Sequence, residues 1–208
     1  MANFDADVII IGYGPSGVSA ANVLGQYGIK TIAFERYKDI YARARAVTTN
    51  DWTMRCFQSV GLDKTLKEGM DETHSLRWVT YDGHLINHIG FPGGNLGHPQ
   101  SFSIYQPVME QKLRDGAARF PSVDVRFGGE VTDVAQDEHG VTVTVTNLET
   151  GAKTTTRARY ALACDGGSSA TREQLGIKML GDTVETEWVI IDAFVKRWWP
   201  NRHILTFW

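Results

Sequence analysis

Three glycines stand at positions 12, 14 and 17 in the stretch IIGYGPSG, directly after the apolar run VIII of residues 8–11. A glycine turn between a buried strand and a helix suits the seating of a dinucleotide pyrophosphate. Gly12 permits the tight turn, Gly14 lets the backbone approach the phosphates, and Gly17 lets the helix pack close to the strand. The free amides of the Gly12 to Gly17 turn, Ser16 among them, then meet the phosphate charge at the helix N-terminus. Pro15 is compatible with this position because a first-turn N–H has no intrahelical partner to lose. Glu35 lies 23 positions after Gly12, where a carboxylate can accept from ribose hydroxyls. Arg36 would suit the 2′-phosphate of NADP, but the neighbouring Glu35 would repel it. The bland alternative is that the glycines merely shape a turn; strand before, helix after and acid in place argue against it. This motif alone does not separate FAD from NAD.

The elements around the turn are those such a site requires. Residues 8–11 have the length and β-branching of a buried strand, residues 18–27 continue as a small-residue helix, and Gly28 sits where its C-cap belongs. Residues 31–34 form a second strand ending at Glu35, which completes a βαβ unit. Beyond it the pattern predicts a helix over 50–60 and a hairpin of strands 76–81 and 84–89 around Asp82-Gly83. A loop over 91–99, a strand over 101–105 and a helix from Pro107 to about residue 120 follow. Strands are expected at 123–127, 130–136, 141–147, 154–159 and 160–164. The strict alternation of VTVTVTN predicts one buried and one wet face. A short helix over 169–175, a long strand over 184–195 and a strand in the closing HILTFW complete the reading. A strand that ends at the last residue points to a truncated chain.

Composition bounds the function. The 208 residues are enough for a sizeable core. A net charge of −3 without a concentrated basic tract argues against a nucleic-acid partner. No segment approaches the ~20 apolar residues of a membrane span, and Asp5 and Asp7 stand where a signal peptide would carry positive charge. Two cysteines, Cys56 and Cys164, are too few for a disulfide framework. The expectation is a soluble cytoplasmic protein with reduced thiols.

Three more stretches carry a resemblance: ARAV at 44–47, Tyr105-Gln106-Pro107 opening a helix that includes Glu110 and Leu113, and YALACDGGSSATR at 160–172. Together with the glycine turn they resemble the FAD-dependent aromatic hydroxylases, single-component flavoprotein monooxygenases. The likeness is greatest to the 3-(3-hydroxyphenyl)propionate hydroxylase and polyketide hydroxylase branch. Asp165, Gly166, Ser169 and Arg172 match the family's mid-chain Asp-Gly motif at its spacing. Arg45 falls where the family carries an arginine near the flavin, and Gln106 where a helix-opening residue contacts FAD. The family's later Gly-Asp motif has no counterpart, since Gly181-Asp182 comes too early and lacks an apolar strand before it. The resemblance therefore implies the N-terminal part of a longer hydroxylase, and it puts catalytic competence of this part alone in doubt.

The fold implied is α/β: a Rossmann-like FAD/NAD(P)-binding fold, a central parallel sheet with helices on both sides, and an interleaved, partial antiparallel-sheet substrate domain. Residues 1–75 and 101–180 are expected to form the FAD domain, and 76–100 and 181–208 the substrate side. By resemblance, FAD is the cofactor and NADH or NADPH the co-substrate. Molecular oxygen supplies the atom transferred to a small aromatic, phenolic ring, and the full-length protein is open to homodimerisation. The cofactor chemistry is FAD's own, with the protein supplying position and shielding. No substrate base is assigned.

Other readings compete. Asp165 could instead cap the next helix, a role Ser168 or Ser169 could also take. His84 and His88 would suit a metal on a helix, but the Asp82-Gly83 turn argues for strand and no third ligand is evident. GPSGV does not fit a serine-hydrolase elbow. Trp198 and Trp199 could stack on a ligand or shield a sheet edge, and Cys164 reads as a buried small hydrophobe. An NAD-dependent dehydrogenase would use the same turn but leaves the Asp165 motif unexplained. A non-enzymatic binding protein on this fold is the third alternative.

Overall fold

The computed structural model describes residues 4–42, 45–94, 96–187, 189, 191, 193, 195–196 and 201–208. Strand β1 (Ala6–Ile11) leads through the glycine turn into helix α1 (Pro15–Gln26) and strand β2 (Thr31–Glu35). Next come β3 (Thr48–Asn50), α2 (Asp51–Ser59), α3 (Asp63–Lys67), β4 (Met70–Glu72) and the hairpin β5 (Ser75–Val79) and β6 (Leu85–Gly90). Strand β7 (Ser101–Ile104) precedes α4 (Gln106–Ala117), followed by β8 (Val123–Phe127), β9 (Gly129–Asp137), β10 (Gly140–Asn147) and β11 (Lys153–Ala163). Helix α5 (Ala170–Gln174) and strand β12 (Ile204–Phe207) are the last described elements. None of the helices is long and apolar enough to cross a membrane among the described residues.

The main sheet has the order β8-β2-β1-β11-β10-β9. Its first four strands run parallel, and β10 and β9 extend it antiparallel. The two strands expected at 154–159 and 160–164 are one. β11 pairs antiparallel with β10 through Lys153 to Ala158, then parallel with β1 from Ala158 to Ala163. No turn residue interrupts it, and each half has its own neighbour to satisfy its backbone groups. Helix α1 starts at Pro15, earlier than the small-residue pattern suggested, with Gly14 as its N-cap. The short elements β3, α3 and β4 lacked a periodic signal long enough to read.

Alternation along β1 and β2 divides the core. Ile10 and Ala33 pack against Val18 and Ala21 of α1 and Leu113 and Ala117 of α4. On the other face Ile9, Ile11, Ile32 and Phe34 meet Val143 and Val145 of β10. That second cluster draws no residue from a helix among the described residues, so the expectation of helices on both faces is corrected. The antiparallel extension supplies the cover instead. A register shift between Thr144 and Val145 marks an irregularity in the β9–β10 pairing, of the kind that bends a strand pair.

Two smaller sheets stand apart in pairing. One is β3-β7-β4; the other is β12-β5-β6, in which β12 runs parallel to β5 and Trp78 stacks on Phe207 at 5.2 Å. The long strand expected over 184–195 is not formed at any of its described residues, and Val184, Val189, Ile191 and Val195 are exposed. A strand exists only by pairing, and the place beside β5 opposite β6 is taken by β12. Trp188, Ile190, Asp192 and Phe194 of that segment, like Ala44, Trp198 and Trp199, lie outside the described residues.

Leu113 is fully buried where α4 meets α1 and the sheet. Leu113→Ala should cost about 2–5 kcal/mol, read as a lower denaturation midpoint in urea at unchanged slope.

Candidate functional site

The site begins where β1 ends. Gly12 N–H still donates to Phe34 O on β2 at 2.8 Å, and Cys164 N–H donates to Ile11 O at 2.8 Å. The turn therefore leaves the sheet while both neighbouring strands hold it. Gly12 has φ +89, and a Cβ there would lie 2.6 Å from the Cys164 carbonyl oxygen, so glycine is required twice over. A Cβ on Gly17 would run into the Gly12 carbonyl oxygen. Gly14 differs. Its φ is −72, and an added Cβ would meet nothing within 4 Å. Neither φ nor packing within the fold requires glycine at 14, and its bare backbone leaves room for a close approach from outside.

Behind the turn, Gly14 caps α1 without a side-chain hydrogen bond, Pro15 opens the helix, and its first turn holds no acid. The positive end of the helix dipole is thus left to an external anion.

The second member is Glu35. Its Oε2 accepts from Tyr13 N at 2.7 Å and its Oε1 from Tyr37 N at 2.9 Å. The carboxylate fixes the turn to the end of β2, and each oxygen keeps lone-pair capacity for a further donor. The Tyr13 ring is buried, edge-on to Phe127 at 6.0 Å. Arg114 lies over both rings and pairs at 3.1 Å with the buried Glu110 one helical turn away. Burial pushes the Tyr13 phenol up to about 12, with Arg114 acting in the opposite sense. Arg36 reaches Glu130 on β9 at 3.3 Å and lies over the Tyr37 ring.

Gln106 is the first residue of α4 and is buried. Its Oε1 accepts from Arg45 N and Ala46 N, both at 2.9 Å. Two backbone donors on one oxygen settle the amide orientation, and no described residue accepts from Nε2. The Arg45 guanidinium stacks over Tyr41 at 4.9 Å.

Asp165 follows β11. Its Oδ1 accepts from the Ser169 hydroxyl at 2.6 Å and its Oδ2 from Thr171 N at 3.0 Å. Burial works against its charge, but these hydrogen bonds together outweigh it and hold the carboxyl below the ordinary range. Ser169 itself caps α5 through Arg172 N. The helix-capping reading of this segment is thus realised in part by Asp165 and in part by Ser169. Neighbouring Cys164 is half-buried rather than buried, and burial raises its thiol pKa.

These segments enclose one open cleft of about 450 Å³. Gly12, Gly14, Pro15, Ser16, Glu35, Arg36, Arg45, Gln106, Asp165 and Gly166 line it. Gly17 does not line it and packs against the turn, and Ser169 and Arg172 of the Asp-Gly motif are likewise not among its lining residues. The cleft also takes Gly129, Glu130 and Val131 from β9, together with Ala46, Cys164 and Ser168. The three β9 residues carry no motif, and only the chain path brings β9 to the turn; Ala46, Cys164 and Ser168 belong to the stretches at 44–47 and 160–172. Far from the cleft, His84 sits in the hairpin turn, paired with Asp82 at 3.2 Å rather than sharing a strand face with His88.

A family model described as "FAD binding domain" matches residues 5–208. The chain is 36% identical over 189 residues to a 3-(3-hydroxy-phenyl)propionate/3-hydroxycinnamic acid hydroxylase of Mycobacterium sp. (strain JLS), covering 90% of this chain and 32% of that protein. A namesake from Paraburkholderia xenovorans (strain LB400) is also 36% identical, over 188 residues, covering 90% of this chain and 30% of that protein. Among solved structures, the flavin-dependent monooxygenase PieE in complex with FAD and substrate superposes with a TM-score of 0.74 at 26% identity. That match covers 84% of this chain and 33% of PieE. The chain spans about a third of the length of these relatives.

Gly14→Ala should change folding stability by no more than about 1 kcal/mol, whereas Gly17→Ala should cost several times that; thermal unfolding separates them. Asp165 has its pKa depressed in the folded state, so its stabilisation is complete above the unfolded value near 4 and is lost as pH falls through the lower folded value. Asp165→Asn should therefore flatten the acid limb of stability against pH, measured by denaturant unfolding between pH 2 and 6.

Proposed function

The chain belongs to the FAD binding domain family, and from that premise we propose that it seats FAD in the cleft as the cofactor-holding part of an aromatic hydroxylase. The observation that carries the reading is Gly14, a glycine that neither φ nor packing requires, at the mouth of an uncapped helix N-terminus. The donor set fits a dinucleotide. Backbone amides at Gly14, Ser16 and Gly17 meet the pyrophosphate, while the Gly12 amide stays bonded to Phe34 O and Gly12 shapes the turn, with Pro15 setting the helix start. Glu35 keeps acceptor capacity for the adenosine ribose, with Arg36 beside it. Gln106 Nε2 and Arg45 serve the flavin end. Asp165 and Gly166 close the far wall, where an ionised carboxylate can accept from ribityl hydroxyls.

Bound FAD would supply redox and oxygen-activating chemistry, with NADH or NADPH as reductant and molecular oxygen as oxidant. The residues of this chain orient and shield it. The Gln106 carbonyl holds the 45–46 backbone in place, and the depressed pKa of Asp165 keeps its carboxylate an acceptor at neutral pH. The substrate class is a small phenolic ring, in keeping with the names of the hydroxylase relatives. We further propose that residues 1–75 and 101–180 serve FAD. Residues 76–100 and 181–208 would face substrate, a division supported by the separate pairing of β5, β6 and β12. The protein is read as cytoplasmic.

Purified chain incubated with FAD and desalted should retain flavin absorption bands, and Gly14→Ala should lower FAD affinity at least tenfold with its fold intact. A folded protein that emerges colourless while binding NAD would overturn the reading.

A further inference from the structure

Two walls of the cleft come from parts of the chain with no direct sheet contact: the start of β9, with Gly129, Glu130 and Val131, and the loop from Asp165 to Ala170. We propose that Gln174 is the positioning residue that sets the gap between these walls, and so the fit of FAD; the proposal rests on the cofactor reading above.

Gln174 is the last residue of α5. Its Oε1 accepts from Val134 N at 3.0 Å and its Nε2 donates to Thr132 O at 3.0 Å. Those are the outward-facing groups of β9, an edge strand of the main sheet. A primary amide offers one donor and one acceptor side by side, so it occupies the place that a residue of a further strand would take. It also blunts an exposed edge. At its other end α5 is bound to the Asp165 loop: Ser169 and Thr171 donate to Asp165, and Arg172 donates to Gly167 O at 2.7 Å. A continuous hydrogen-bonded path thus runs from Asp165 through α5 and Gln174 to Thr132, next to Val131 in the cleft wall. Arg36, bonded to Glu130, joins the β2 side to the same strand.

The site is exposed, so the two bonds add little to global stability. What they fix is a distance. Gln174→Glu retains the acceptor for Val134 N–H but loses the donor and turns charge toward the Thr132 carbonyl. Gln174→Met keeps the length of the side chain and loses both bonds.

Two readouts test this: FAD affinity by flavin fluorescence, and amide hydrogen exchange without FAD. Both variants should bind FAD about tenfold more weakly, with faster exchange confined to residues 129–134 and 165–171. Their melting temperatures should stay within about 3 °C of the parent. Unchanged affinity together with unchanged exchange in Gln174→Met overturns the proposal. So does faster exchange throughout the sheet with a lowered melting temperature, which is the mark of a plain stability effect. Should the parent chain fail to take up FAD, the cofactor reading falls, while the exchange measurement still decides the latch.

Discussion

The structure depends on the way β1 leaves the sheet. Gly12 is still bonded to β2 through Phe34 O while Ile11 is bonded to β11 through Cys164 N–H, and the Cys164 carbonyl leaves no room for a Cβ. Because the turn starts inside this three-strand contact, the residues that end the two flanking strands are delivered to either side of it. Glu35 ends β2, and Asp165 follows β11 by two residues. The cleft is a consequence of parallel pairing: strands that run the same way end at the same edge, and the crevice there collects their terminal residues.

The charges in the cleft are held by backbone as much as by one another. Glu35 accepts two main-chain amides, and Asp165 accepts one together with a hydroxyl. The anion seat, by contrast, carries no fixed cation of its own among the described residues of the turn; it relies on amides and the dipole of α1. Such a division suits a ligand with phosphates at its middle and hydroxyls on both sides. Carboxylates oriented by neutral donors can accept from sugars, and a helix terminus without a competing acid can accept phosphate.

Support for the site comes from behind. Tyr13 is tied by its amide to Glu35 and by its ring to Phe127 and to Arg114 of α4. The same helix presents Gln106 at its first turn. One helix therefore holds the back of the turn at one end and the 45–46 segment at the other. A buried Glu110–Arg114 pair does not in itself stabilise a fold, since desolvation offsets the attraction; here its place against two aromatic rings ties it to the geometry of the turn.

The βαβ unit and Glu35 were legible because each rests on local rules: an apolar run, glycine where φ is positive, a carboxylate at a fixed distance along the chain; Asp165 was singled out by the family resemblance. Ten of the eleven residues assigned to the cofactor line one cleft; motif spacing chose those of the glycine turn and Glu35, and the family resemblance chose Arg45, Gln106, Asp165 and Gly166. The strand expected over 184–195 shows the limit of that reasoning, because an apolar run becomes a strand only when a neighbour offers its edge. The same limit hid Glu130, Val131 and Gln174. The bend of β9–β10 over the sheet, the single strand β11 that turns from antiparallel to parallel neighbours, and the amide of Gln174 on the edge of β9 are all set by partners far away in sequence. The sequence by itself determined the strand, glycine turn and helix and the carboxylate at the end of β2, since those requirements are local. The tertiary structure decided which distant segments close the walls, because hydrogen bonds between strands carry no trace in the residues that make them.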